Sequence, residues 1–290
     1  MANNINYAEK YMQELDQMLK QEAITSDLET PNVNWLNART FQVPNLSVTG
    51  YKPHSRNGGF NRGNVDVTHK PYTLDFDRDV EFFVDKADVD ESNQAASAAN
   101  VTSIFMRENG IPEIDAYRIS KLADNADNSD TDTIDNTNAF QKIKAGILPV
   151  RKYGPSNIVV YISSEAMDAL ERDVAFNRNI NVTDNNGSIE ARVTSIDGVK
   201  IKEVWDEGRM YDKFDFTEGF VPDEGAKKIN FLVVAKPAIV AKAKISTIYL
   251  FEPGQHTQGD GFLYQNRLYH DLFKLENKQD AVYVNFKDEA

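Results

Sequence analysis

Apolar and polar positions alternate along this chain in two rhythms. Over residues 5–23, Tyr7, Tyr11, Leu15, Met18 and Leu19 fall at helical spacing, with Glu9, Lys10, Glu14 and Lys20 elsewhere. That spacing predicts an amphipathic helix. Its stripe suits either packing on its own domain or an arm docked on a neighbour. Pro31 and the Asn-rich turn after it end the segment. From Arg39 to Val48 the rhythm changes to that of a strand. Phe41 and Val43 share one parity, Leu46 and Val48 the other, and Pro44 between them argues for an edge strand or a bulge. Residues 50–64 read as a loop, with Gly58, Gly59 and Gly63 supplying freedom in φ. Val65 and Val67 restart a strand that Tyr72, Leu74 and Phe76 continue, and Val80, Phe82 and Val84 alternate after it.

Ser92 or Asn93 then suits a helix cap, and the run AASAANVTSIFMREN places Val101, Ile104 and Phe105 on one face. Gly110 and Pro112 interrupt it. Pro112 fits the first turn of a further helical stretch carrying Ile114, Tyr117 and Leu122. One kinked helix and two consecutive helices fit equally. The polar, acidic run ADNADNSDTDTIDNTN, from Ala123 to Asn138, reads as a loop or linker and a domain crossing. Residues 139–150 predict a helix and Ile158–Ile162 a short apolar strand. In SSEAMDALERD, Ser163 or Ser164 caps a helix with Met167 and Leu170 inward. Residues 180–204 predict β-structure around the turns Asn186-Gly187 and Asp197-Gly198. Residues 229–234 and 239–250 are apolar strands or buried segments, and 268–286 mixes strand signals with charge. The pattern is mixed α/β with irregular strand order. No fixed-period repeat occurs, which excludes solenoids and propellers.

Composition narrows the function classes. At 290 residues the chain can build one large domain or two small ones. Hydrophobic residues at 41% and charged residues at 27% mark a globular protein. With no cysteine, disulfides, thiolate metal sites and catalytic thiols are excluded. The N-terminal residues lack a signal-type apolar run, and no stretch approaches the ~20 apolar residues of a membrane span. A protein made and used in a cytoplasm fits. The net charge of −13 repels nucleic acid and anionic lipid, which argues against direct nucleic-acid reading.

Motifs for catalysis are missing. There is no Walker-type phosphate loop, no G-x-S-x-G and no H-E-x-x-H. The segment GGFNRG does not open a helix after a buried strand. His54, His69, His256 and His270 have no metal-ligand spacing, and His54 is the one placed in the loop. The run from Asp124 to Asp135 alternates acids at Asp130 and Asp132, but lacks the glycine and glutamate of a calcium loop. No catalytic residue, cofactor or metal site is expected.

One charge pattern is informative. Between Gly50 and Val65 lie Lys52, Arg56 and Arg62 with no acid. Between Asp75 and Glu91 lie Asp75, Asp77, Asp79, Glu81, Asp85, Asp88, Asp90 and Glu91, opposed only by Arg78 and Lys86. A basic loop tip and an acidic strand pair suit head-to-tail contact between copies, which builds rings or lattices. Lys52, Arg56, Arg62, Asp77, Asp79 and Glu81 are the candidate contact residues. A basic loop folded over its own acidic strands fits the same pattern. Tyr51 and Phe60 beside the arginines also permit stacking on single strands.

Several segments resemble the major capsid proteins of tailed bacteriophages, which have the Hong Kong 97-type fold. They are TFQVPNLSVTGYKPHSRNGGF, DFDRDVEFFVDKADVDESN, PEIDAYRISKL and FLVVAKPAIVAKAKISTIYLFEP. The resemblance spans about residues 34–286 and lies in segment order and phrasing, without a short diagnostic motif. It implies an α+β fold with an N-terminal arm (1–33), an extended hairpin loop and peripheral domain with a spine helix (34–123), and an acidic linker (124–138). A mainly axial domain (139–265) would follow, then C-terminal strands returning to the peripheral domain (266–290). It further implies a non-enzymatic shell subunit, forming hexamers and pentamers around double-stranded DNA in a virion and assembled in the host bacterial cytoplasm. Its partners would be further copies, a portal protein and a separate scaffold protein; a start directly at the arm implies either that scaffold or a mature chain presented without its pro-segment, and Met1 favours the former. Some relatives cross-link lysine to asparagine, but no specific match to Lys52 can be made. An encapsulin-like compartment shares this fold. A monomeric binding module using the basic loop, or a hydrolase using carboxylates in 75–91, are the readings from other classes.

Overall fold

The structure, a computed structural model, describes residues 23–30, 34–37, 39–54, 58, 60–91, 98–175 and 193–288. The expected N-terminal helix (residues 5–22 of it), Arg56 and the Asn186-Gly187 turn lie outside them. The chain first forms a 3-10 turn, Thr25–Leu28, and a short strand β1, Asn34–Trp35. β2, Thr40–Val48, and β3, Val65–Thr73, then pair antiparallel in unbroken register from Thr40 opposite Thr73 to Val48 opposite Val65. β1 reaches only Phe41 and Gln42 of β2. Pro44 therefore sits where β2 is an edge and its missing N–H disturbs no ladder. Phe41 is buried at the hairpin's base with Leu74, Val240 and Tyr269. The distal strands are exposed.

β4, Phe76–Asp85, leads into α1, Lys86–Glu91. Beyond it α2, Ala98–Phe105, passes through a π-helical turn, Met106–Gly110, into α3, Ile111–Asp124. The sequence left one helix or two open; the structure has one, about 40 Å long. Pro112 has no N–H for the carbonyl four residues back, and the wider π turn absorbs that mismatch without ending the helix.

The acidic run after α3 is not a plain linker. It holds β5, Asn128–Asp132. α4, Ala139–Val150, β6, Ile158–Ser163, and α5, Ser164–Arg172, follow. The Ser163 hydroxyl caps α5 by accepting from the Ala166 N–H at 3.3 Å, and Met167 and Leu170 turn inward as the pattern predicts. β7, Ser195–Ile196, and β8, Val199–Val204, form a hairpin through Asp197-Gly198, whose φ angles of 51° and 80° fit a two-residue turn. Next come β9, Phe214–Asp215, and β10, Val221–Pro222, a two-stranded ribbon, then β11, Ile229–Ala235. β12, Ile239–Phe251, β13, Gly261–Lys274, and β14, Val282–Lys287, complete the chain.

Two main sheets result. The six-stranded sheet has the order β5-β14-β11-β6-β8-β7. Every residue of β6 (IVVYIS) and β11 (INFLVVA) is buried. Such unbroken apolar runs require cover on both faces, and α4, α5 and the end of α3 share this core through Ile143, Leu170 and Leu122. α4 crosses the sheet closely at Gly146, where a Cβ would stand 2.6 Å from the Tyr283 ring and 2.8 Å from the Phe231 ring. The long three-stranded sheet has the order β12-β13-β4.

These memberships differ from the expected segmentation. β12 and β13 pair with β4 beside the long helix, although residues 239–265 were grouped with the axial segment. The last stretch splits, β13 in the long sheet and β14 in the six-stranded one. β5 joins β14 in parallel. The acids in and just before it are bonded: Asp127 accepts from the Ala281 and Val282 N–H groups, Asp130 from the Tyr283 hydroxyl, and Asp132 from Lys142 and Asn285.

Candidate functional site

The distal half of the hairpin β2–β3 turns its apolar side chains to solvent. Leu46 and Val67 are 64% and 56% exposed, and Val48 and Val65 likewise stand out. Tyr51 and Phe60 near the tip are fully exposed. The loop is braced across itself, Lys52 Nζ donating to the Arg62 carbonyl at 3.2 Å and Asn61 Nδ2 to the Pro53 carbonyl at 2.8 Å. Burying apolar area is worth about 25 cal/mol per Å², and here that gain is left unused within one chain.

The acidic candidates lie on β4. Strand alternation puts Asp77, Asp79 and Glu81 on one exposed face, and Phe76, Arg78, Val80 and Phe82 on the face toward the helix. Asp77 accepts from Arg267 Nη2 at 2.6 Å and Nε at 3.1 Å, which holds its carboxyl below the usual range. Glu81 accepts from Gln265 and Gln258 and is likewise lowered. Asp79 stands opposite Arg267 in register. Among the described residues no ion pair joins Lys52 or Arg62 to these acids. Lys52 is instead bonded to the Arg62 carbonyl, and Asp77 to Arg267.

Pattern reading missed a third cluster, where residues 23–30 cross both main sheets. The Asp115 carboxylate in α3 is fully buried. It accepts from the Ile24 and Thr25 N–H groups at 2.9 and 3.1 Å, the Thr25 hydroxyl at 2.6 Å and Arg209 Nη1 at 2.9 Å. Arg118, one turn on, bonds the Thr25 carbonyl and Glu29. Asp27 accepts from the Tyr161 hydroxyl of β6 and pairs with Lys202 of β8. Burial raises the Asp27 pKa, but the Tyr161 and Lys202 hydrogen bonds outweigh it and the net shift is downward. Thr30 N–H reaches the Ala241 carbonyl of β12. The sequence signal was Asp115 and Arg118 inside the otherwise inward-facing IPEIDAYRISKL, but no local spacing names Arg209 as partner.

Among the described residues no group of three or more His, Asp or Glu side chains is placed to hold a metal ion, and no helix there is long and apolar enough to cross a membrane. His54 and His69 are exposed, His256 meets the Gly261 carbonyl, and His270 is buried in the long sheet.

No protein-family model matches the chain, and no curated protein does. Solved structures do, over nearly its whole length. One is described as Mycobacterium phage Che8, with TM-score 0.62, 15% identity and 98% of each chain covered. The bacteriophage PhiM1 mature capsid matches with TM-score 0.68 and 10% identity, over 98% of this chain and 93% of that one. The head of Helicobacter pylori bacteriophage KHP40 matches with TM-score 0.67 and 13% identity, over 99% of each. At such identities the likeness establishes the fold, which is the α+β Hong Kong 97-type fold of phage capsid structures.

Proposed function

We propose that this chain is the major capsid subunit of a tailed bacteriophage. Copies would form hexamers and pentamers that close into an icosahedral shell around double-stranded DNA, built in the host cytoplasm with a separate scaffold protein and a portal. The observation that carries the reading is the projecting hairpin, apolar and exposed, on a fold matched end to end by phage capsid structures. Its unburied side chains suit burial against a second copy. The basic tip and the acidic β4 face then suit setting register between copies, with Lys52, Arg56 and Arg62 on one side and Asp77, Asp79 and Glu81 on the other.

The parts take names on this reading. Residues 1–33 are the arm and Thr40–Thr73 the extended loop. The long helix with β4, β12 and β13 forms the peripheral domain. The six-stranded sheet, including β5 and β14, forms the axial domain. The hydrolase reading finds no support on β4, where the resolved carboxyl shifts run downward and a general acid needs them raised.

The test is to express the chain and examine it by negative-stain electron microscopy and light scattering. Closed shells, tubes or six-membered rings are expected, and Arg56→Glu with Arg62→Glu should reduce them while leaving the monomer folded. Shells filled with a protein cargo would favour the encapsulin-like reading. A monomer at all concentrations would favour a binding module.

A further inference from the structure

The ribbon of residues 211–228, which carries β9 and β10, leaves the six-stranded sheet just before β11 and is built differently at its two ends. Its root is buried. The Ile229 N–H donates to the Met210 carbonyl at 2.8 Å, and Arg209 beside it donates to Asp115 of α3. Arg209 and Met210 are both fully buried. The shaft beyond is thin. A bridge between Tyr211 and Lys228, hydrogen bonds from the Asp212 N–H to the Lys227 carbonyl and from the Asp223 N–H to the Lys213 carbonyl, and the two-residue pairing of β9 with β10 join its strands. Val221 on it is 59% exposed. A two-stranded ribbon is marginally stable alone, so its position depends on where the tip lands.

The tip lands on the long helix and the long sheet. The Phe216 ring meets those of Phe76 and Tyr117 edge to face, at 5.0 and 5.7 Å. Arg78 of β4 supplies the polar half. Its Nη1 donates to the Phe216 carbonyl at 2.5 Å, its Nη2 to the Gly219 carbonyl at 3.3 Å and its Nε to Glu113 of α3 at 2.7 Å. Gly219 turns the backbone there with a φ of 71°. One guanidinium fork thus joins a strand, a helix and the ribbon. Under Thr217–Gly219 close packing stops, because these residues line a cavity of about 530 Å³ with Phe82, Phe105 and Leu268. The dispersion contacts that would otherwise hold the tip down are missing there. The Asp115–Arg209 pair at the root is wholly buried, whereas the Arg78 and Glu113 side chains remain 30% and 16% exposed. Water can therefore replace the bonds at the tip but not those at the root.

We propose that the ribbon is a hinged lid over this cavity, with Arg78 as its latch and the Asp115–Arg209 root as its fixed end. When the latch releases, the tip lifts and Phe216 leaves Phe76 and Tyr117, while both main sheets keep their fold. Such local opening draws on the least stable part of a structure and leaves the core closed. The lid belongs to the single chain and does not depend on shell assembly.

The chain has no cysteine, so Lys86→Cys with Val221→Cys places a nitroxide pair at two exposed positions, one beside the long sheet and one on the ribbon. The distance between them is measured by pulsed electron paramagnetic resonance in full chain diluted with unlabelled chain, so that contacts between copies do not contribute. Arg78→Ala is expected to shift the ratio of open to closed lid by at least about tenfold, since charge-assisted bonds are lost. Arg78→Lys should open the lid nearly as far, because an ammonium cannot hold Glu113 and two carbonyls at once; a purely electrostatic role would be rescued by lysine. Phe216→Ala alters neither the root nor β4, and should open the lid even if the Arg78 variants fail to fold. Backbone resonances of 158–163 and 229–235 should stay in place throughout. Distances unchanged in both Arg78→Ala and Phe216→Ala, a lid held by Arg78→Lys as firmly as by the parent, or opening that occurs only when the six-stranded sheet unfolds would overturn the proposal.

Discussion

The junction around Asp115 and the hairpin β2–β3 answer the same physical problem in opposite ways. At the junction, a charged carboxylate is taken fully out of water and given four hydrogen bonds, one of them from an equally buried Arg209. On the hairpin, apolar side chains are left in water although the same chain has cores that could hide them. The first arrangement fixes how residues 23–30, the long helix and the Arg209 turn meet. The second leaves a surface whose stabilisation is available only from outside the chain. On the proposed reading, the contrast separates what must be rigid in one subunit from what is reserved for contact.

The contrast can be broken most sharply at Asp115. Replacing it with alanine leaves the buried Arg209 with the partly exposed Asp206 as its counter-charge, at 3.2 Å, and should cost about 3 kcal/mol in denaturant unfolding; a loss under about 1 kcal/mol would show that the pair is not a keystone. Gly146→Val probes the packing of the same body at another point. Its added carbons would meet the Tyr283 and Phe231 rings, and a cost of about 1–3 kcal/mol is expected from overpacking. A milder effect concerns acid. The folded-state pKa of His270 is depressed to about 3 from an ordinary value near 6.5. Its contribution is therefore complete above about pH 6.5 and declines as pH falls towards about 3, where the unfolded chain binds the extra proton first. His270→Phe should flatten that part of the stability profile, and an unchanged slope between pH 6 and 4 would contradict the assignment. The smallest effect on stability belongs to the hairpin. Leu46→Asp with Val67→Asp should leave monomer unfolding within about 0.5 kcal/mol of the parent, while particle formation in light scattering is lost.

The same two regions show what was legible in the chain. Period-two alternation marked β4, because a half-buried strand writes its burial into every second residue; β2 and β3 were legible from their strand-forming residues on either side of the Gly- and Arg-bearing loop, although β3 is exposed along nearly all its length. β6 and β11 were legible as apolar runs. β5 was not, since Asn128–Asp132 has no apolar residue and is held by hydrogen bonds and its parallel partner. β13 and β14 read as one stretch because each is strand-like and nothing local says that they serve different sheets. The π turn was half visible, as Gly110 and Pro112. Asp115 and Arg209 are 94 residues apart, so only the fold brings them together. Of the six proposed contact residues, Lys52, Arg62, Asp77, Asp79 and Glu81 are exposed as a contact role requires, and Arg56 lies outside the described residues.

The central claim is that the hairpin is completed by another copy while the junction is completed within one chain. Hydrogen exchange read by mass spectrometry on matched unassembled and assembled samples tests this directly. The account predicts that peptides covering residues 44–54 and 60–67 gain protection only on assembly, while those covering 23–30 and 111–124 are protected in both. Hairpin peptides that exchange equally in the two states would contradict it.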